Sequence, residues 1–157
     1  NGPLTVAFVS VNLPFQTPPS RAEFESRTHS QNALLRRHAE LMLRTLDQKG
    51  KLPDHHSYPI EVWQFGKDLT FIALGGEVVV DYSLRFKREY GFDQLWVAGY
   101  TNDVFAYIPS RRVLKEGGYE GGGAMIAYGQ PAPFTSDVEE IIARGVDSLV
   151  SRVQQKH

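Results

Sequence analysis

Cysteine is absent from the 157 residues. Neither a disulfide framework nor a thiolate metal site can therefore be built, although this absence says little about compartment. No apolar run approaches the roughly 20 residues a membrane helix requires, and no signal-peptide pattern is visible. Neither sign of charge is in excess, with 17 Lys and Arg against 18 Asp and Glu. The clustered basic residues of a nucleic-acid footprint are missing. The one conspicuous basic pair, Arg36-Arg37, falls in a helical pattern and reads as a solvated face. What is present suits a single domain over residues 1–157: 41% apolar residues, enough to build a core. No internal repeat, low-complexity tract or second domain is evident. The chain opens Asn1-Gly2-Pro3 without a Met and enters a strand-like run at once. It reads as a processed chain or as a piece of a longer one.

The apolar pattern predicts a mixed α/β fold. Leu4 to Val11 is rich in β-branched residues and reads as a buried strand. Asn12 to Ser20 carries three prolines and reads as a loop. Leu34, Leu35, His38, Leu41, Met42 and Leu46 recur at helical spacing, and Gly50 ends the run. His38 lies on that apolar stripe and reads as a core or boundary histidine. Lys51 to Ser57 reads as a polar loop. Its pair His55-His56 invites a metal reading, but no third ligand stands at a recognisable spacing. Ile60 to Phe65 and Leu69 to Leu74 form a hairpin about Gly66-Lys67-Asp68. Val78 to Tyr90 is ambiguous. Val78-Val79-Val80 favours a strand, yet Val79, Tyr82, Phe86 and Tyr90 share a helical stripe that stops at Gly91, and a helix is expected. Leu95 to Tyr100 is a further strand. A final helix carries Val138, Ile142, Val146, Leu149 and Val153, with Ser136 and Glu139 in a capping-box pattern ahead of it.

Leu69 to Tyr100 thus reads strand, helix, strand, the length of a crossover between parallel strands. Sites in such sheets lie beyond the carboxyl ends of the strands. Gly75-Gly76-Glu77 leaves the first strand, and Thr101-Asn102 with the long segment to Gly123 leaves the second, at the same end of the sheet. Glu77 and the Asn102-to-Tyr119 segment can therefore meet. Glu77 is expected in the first turn of the helix. A carboxylate there is explained as well by the helix dipole as by function. Tyr107 and Tyr119 are explained as well by packing.

Four short motifs then occur in order: Gly76-Glu77; Gly99-Tyr100-Thr101-Asn102; Tyr107-Ile108-Pro109-Ser110; and Gly118-Tyr119-Glu120. Together they resemble the C-terminal part of the catalytic domain of the neutral/alkaline ceramidase family, from about Tyr58 to the last helix. The resemblance implies a zinc-dependent amidase that hydrolyses the N-acyl bond of ceramide or a related lipid or amide. It implies Glu77 and Tyr107 as zinc ligands and Tyr119 as a residue of the active site. The family's remaining ligands are two histidines well upstream of the glutamate. His29 and His38 precede Glu77 too closely and in the wrong surroundings, so neither takes that role.

Several further expectations follow from the resemblance. The zinc site is incomplete in this chain, which alone is inactive. Its partner is the missing N-terminal part of the same protein. The face that meets that part exposes an apolar patch, through which the chain could dimerise. Location is secreted, periplasmic or membrane-associated. The segment from Arg111 to Gly118 departs from animal members, which leaves the acyl substrate open. A non-catalytic α/β binding or structural module that keeps the fold is the competing reading.

Overall fold

A computed structural model describes residues 2–155. Strands β1 (Leu4–Pro14), β2 (His55–Phe65), β3 (Leu69–Leu74) and β5 (Leu95–Ala98) make one mixed sheet in the order β1-β2-β3-β5. The first three are antiparallel neighbours, and β3 pairs with β5 in parallel. Helix α3 (Val80–Tyr90) is the crossover between these two, as the spacing requires. A second, two-stranded sheet pairs β4 (Glu77–Val78) with β6 (Tyr107–Ile108) in parallel. The expected mixed α/β architecture with a βαβ unit and flanking helices is therefore the architecture observed. Among the described residues no helix is long and apolar enough to cross a membrane.

The core lies on one face of the large sheet. Tyr58, Ile60 and Val62 on β2 and Ile72 and Leu74 on β3 are fully buried there. Helix α5 (Val138–Gln154) covers them with its stripe of Val138, Ile142, Val146, Leu149 and Val153. Helix α3 adds Tyr82 and Phe86. Arg85 on α3 ties the two helices by donating to Glu139 at 3.1 Å and Glu140 at 2.8 Å. Helices α1 (Arg21–Arg27) and α2 (Ala33–Lys49) pair around a smaller cluster of Phe24, Ala39 and Met42. Gly50 caps α2 in the left-handed conformation.

The other face of the large sheet is apolar and open. The register lines up Val6, Trp63, Phe71 and Trp96 across all four strands. Val6, Phe8 and Trp96 are 55%, 56% and 62% exposed, which is unusual for a row of this kind. The strand at Leu4 to Val11 is thus half buried rather than buried. Its odd neighbours Ala7, Val9 and Val11 face α5, while Leu4, Val6 and Phe8 face outward.

Other expectations are corrected. The segment expected as a loop from Asn12 extends β1 to Pro14, and Phe15 still bridges to Phe134. Pro14 sits at the strand's end, where a missing N–H is tolerated. Helix α1 lies in a stretch without helical apolar spacing. It forms behind a capping box of Ser20 and Glu23, each side chain bonded to the other's backbone N–H. The pair His55-His56 opens β2 instead of lying in a loop. The pattern at Ser136 and Glu139 is not a cap. Asp137 precedes α5 without a side-chain bond, and the Glu139 carboxylate goes to Arg85 and the Arg111 N–H. A buried-edge ion pair has outcompeted a local cap.

Candidate functional site

Two strands leave the same end of the sheet and are held together there by backbone. Gly76 donates its N–H to Asp103 O at 2.7 Å, and Glu77 to Ala106 O at 2.9 Å. In return Tyr100 donates to Gly76 O at 2.9 Å, and Thr101 to Leu74 O at 3.1 Å. This approach needs glycine. Gly76 has φ of +69°, and a Cβ there would stand 2.8 Å from Ile108 Cγ1 and 2.9 Å from Ala106 O. A Cβ on Gly99 would stand 2.7 Å from Val78 Cγ2. The result is β4 beside β6, with Glu77 directly opposite Tyr107. The expected meeting of these segments thus occurs, but Glu77 lies on a short strand and not in the first turn of α3. Pairing with β6 takes the backbone of Glu77 and Val78, so the helix starts only at Val80.

The segment from Asn102 to Gly123 is also more structured than a loop, since it contains β6 and helix α4 (Arg111–Glu116). Tyr82 donates to Pro109 O at 3.0 Å. Ser110 donates to Asp81 at 2.5 Å and accepts from the Val113 N–H at 3.2 Å. Arg112 closes the arrangement on Asp81 at 2.8 Å. Asp81 is consequently held below the ordinary carboxylate range, first by Arg112 and then by Ser110.

Glu77 collects phenols. Tyr100 donates to its Oε2 at 2.8 Å. Tyr107 is pushed up to about 12, chiefly by the nearby Glu77 carboxylate. Tyr119 packs edge-on against Tyr107 with ring centres 5.6 Å apart, and Tyr128 does so from 6.5 Å. The three residues singled out in sequence, Glu77, Tyr107 and Tyr119, are therefore neighbours. Tyr100 and Tyr128 were not singled out. Tyr100 stood inside a quoted motif and at the carboxyl end of the expected strand Leu95 to Tyr100, which was the available signal; the strand itself stops at Ala98. Tyr128 had none.

Carboxylate and phenolate oxygens are hard donors that suit zinc. Beside the carboxylate Tyr107 stays protonated, and a cation between the two oxygens would reverse that preference. Two donors are fewer than the three a catalytic zinc normally takes from protein. The histidines do not complete the set. His38 is buried, its Nε2 bonded to Gln130 O at 2.8 Å. His55 is bonded to Asp54. His56 stacks on Phe105 with ring centres 3.5 Å apart and lies 3.6 Å from Asp103. Among the described residues no group of three or more His, Asp or Glu side chains could hold a metal ion. A hollow of about 530 Å³ lies elsewhere, between residues 15–19 and the end of α2, and does not include this site.

The chain matches no known protein family, no curated protein and no solved structure.

Proposed function

We propose that this chain is the C-terminal portion of a zinc-dependent amidase of the neutral ceramidase type, and that it supplies two of the metal's ligands, Glu77 and Tyr107. The observation that carries this reading is the residue-for-residue pairing of Glu77 with Tyr107 across β4 and β6, with Tyr119 against Tyr107. The motif resemblance assigned these positions, 30 residues apart at their closest to Glu77, without reference to their geometry.

Zinc, when bound, lowers the pKa of its water to about 7 and polarises the carbonyl to be attacked. The chain's own part is narrower. Glu77 and Tyr107 would present two oxygens on adjacent strands whose spacing is fixed by backbone hydrogen bonds. Tyr119 stands beside Tyr107 and is 55% exposed, free to border a substrate. Two histidine ligands would come from sequence outside these 157 residues. The same outside sequence accounts for the open sheet face, which it would cover. The substrate class is an N-acyl lipid such as ceramide, and location would be secreted, periplasmic or membrane-associated. The competing reading is a non-catalytic α/β binding or structural module that keeps the fold.

The test is metal content and N-acylsphingosine hydrolysis by the protein expressed from its complete reading frame. About one zinc per chain and amidase activity are expected. Outer-shell partners of a metal are worth about 10–100-fold, so Glu77→Gln and Tyr107→Phe should each lower kcat/KM by more than about a hundredfold and deplete zinc. Residues 1–157 alone should bind no stoichiometric zinc. A complete protein without zinc, or a Glu77→Gln variant with zinc and activity intact, would sink the proposal in favour of the non-catalytic module.

A further inference from the structure

Strand β1 lies at the edge of the large sheet, and its outer side is unguarded. It stands first in the strand order, with β2 as its neighbour. The two ends of the strand show which way its backbone points. Pro3 O accepts from the Gly66 N–H at 3.0 Å, and Phe15 donates to Asp54 O at 2.9 Å. Odd-numbered residues therefore turn their polar groups toward β2. Pro14 O accepts from the Thr135 N–H at 2.9 Å, and Gln16 donates to Pro133 O at 2.8 Å. Even-numbered residues therefore turn outward. The register runs unbroken from Leu4 to Pro14, and alternate residues of an antiparallel strand bond to alternate sides. Residues 133–135 cover the outer side only at Pro14 and Gln16. The outward N–H and C=O groups of Leu4, Val6, Phe8, Ser10 and Asn12 meet no backbone partner among the described residues.

Exposed edges are normally blunted by charges, an internal proline, a bulge, short length or a cover. β1 has 11 residues, none of them Lys, Arg, Asp or Glu, and its one proline is the last. Arg152 of α5 borders a hollow of about 420 Å³ with Leu4, Val6 and Phe8, but the strand itself brings no charge. The opposite edge of the sheet, β5, has only 4 residues. It cannot match the free length of β1, whereas another β1 can.

We propose that β1 is a dimerisation edge, which pairs antiparallel with β1 of a second copy and continues one sheet through both chains. The register that uses the whole free stretch puts Phe8 on the twofold axis, opposite Phe8 of the other copy. Leu4 then faces Asn12, and Val6 faces Ser10. No like charges meet, and each facing pair exchanges both of its N–H···O bonds. The contact is isologous and closes at two copies. It also sets the exposed Val6 and Phe8 side chains of both copies side by side on one apolar face. Pairing through β1 needs no metal and holds whether or not Glu77 and Tyr107 are zinc ligands.

The test uses residues 1–157, with sedimentation for mass and circular dichroism for fold. The parent should be a dimer at tens of micromolar. Ser10→Pro removes one outward N–H from an exposed polar position, where an edge strand tolerates proline. It should weaken dimerisation at least tenfold with the fold kept. Trp96→Glu charges the open face away from β1 and should leave the dimer constant within twofold. The chain has no cysteine, so Phe8→Cys introduces a unique thiol. Facing residues of such a pair have Cα atoms about 5.5 Å apart, within the span of a disulfide. Phe8→Cys should cross-link on mild oxidation at least tenfold faster than Ser10→Cys, which faces Val6 instead of itself. A monomeric parent overturns the proposal. So does a dimer broken by Trp96→Glu and indifferent to Ser10→Pro, which would be packed face to face. If Ser10→Pro fails to fold, the two cysteine variants decide, and equal cross-linking rates rule the β1 pairing out.

Discussion

His38 links the helical pair to the site through one backbone carbonyl. Its Nε2 bonds to Gln130 O, and the Gln130 side chain donates to Phe105 O at 2.9 Å, one residue before the Ala106 carbonyl that receives Glu77 N–H. The other ring nitrogen, Nδ1, is buried and has no partner among the described residues. Protonating it would leave an unpaired N–H donor in the interior. Burial accordingly pushes His38 below its ordinary value of 6.5, with Arg27 adding to the effect. The unfolded chain then takes up this proton more readily than the folded one. The stabilisation is fully present above about pH 6.5 and is lost as pH falls below it toward the folded value. His56 is pushed down by burial too, so it contributes in the same direction. Urea unfolding between pH 7.5 and 5 should show stability falling with pH, and His38→Gln should reduce that slope. His38→Ala should cost about 1–3 kcal/mol at pH 7.5, since it strips the Gln130 carbonyl of its donor. At this scale the sequence was informative where periodicity applied: His38 on an apolar stripe is a core residue. It was silent on which partner His38 meets, because Gln130 lies 92 residues away.

Among the elements, β4 and β6 are the smallest and the ones on which the site depends. Each has two residues, and their pairing rests on the close approach at Gly76. Gly76→Ala forces a left-handed backbone on a residue with a Cβ, costing about 1–2 kcal/mol. It also drives that Cβ into Ile108 and the Ala106 carbonyl, and overpacking adds about 1–3 kcal/mol. A loss of about 2–4 kcal/mol in chemical denaturation is expected, together with weaker protection of the Glu77 and Val79 amides in hydrogen exchange. A loss under 1 kcal/mol with unchanged protection would show that the strands do not need this contact. The longer elements were legible because their apolar periods are long: α2, α5, the β2–β3 hairpin and the crossover are all present, although β2 begins earlier, at His55, and α3 later, at Val80. Short elements carry no period. Glu77 was assigned to the helix because Val79, Tyr82, Phe86 and Tyr90 form a stripe, and the stripe cannot tell a helical first turn from a two-residue strand. That decision belongs to Tyr107 and Ile108, whose β6 offers the backbone partners. Helix α1 was missed for the same reason. Seven residues, about two turns, have no measurable period, and only Ser20 with Glu23 marked it.

At the scale of the molecule, the sheet is covered on one side only. Alpha helices α3 and α5 close the face bearing Ile60, Val62 and Leu74, while Val6, Trp63, Phe71 and Trp96 form a row on the other. The alternation in β1 encodes this asymmetry, but Leu4 to Val11 is apolar on both faces, so the sequence alone suggested a strand buried on both. In the proposed function, the sequence that brings the histidines is also what lies on this face. Deprived of it, residues 1–157 should associate with themselves, since an exposed apolar row of this extent favours burial against a second copy. Sedimentation at tens of micromolar should give dimers or larger species, with dye binding that reports exposed apolar surface. Charging the open face with Phe8→Glu and Trp96→Glu should restore a monomer with the parent far-ultraviolet circular dichroism, because both side chains point away from the core. The same double substitution in the complete protein should lower stability by several kcal/mol, as expected for charges buried without partners. If the isolated chain is monomeric and dark to the dye, the face is not one that needs covering. If the double substitution is silent in the complete protein, whatever covers the face in solution is not the remainder of the same polypeptide.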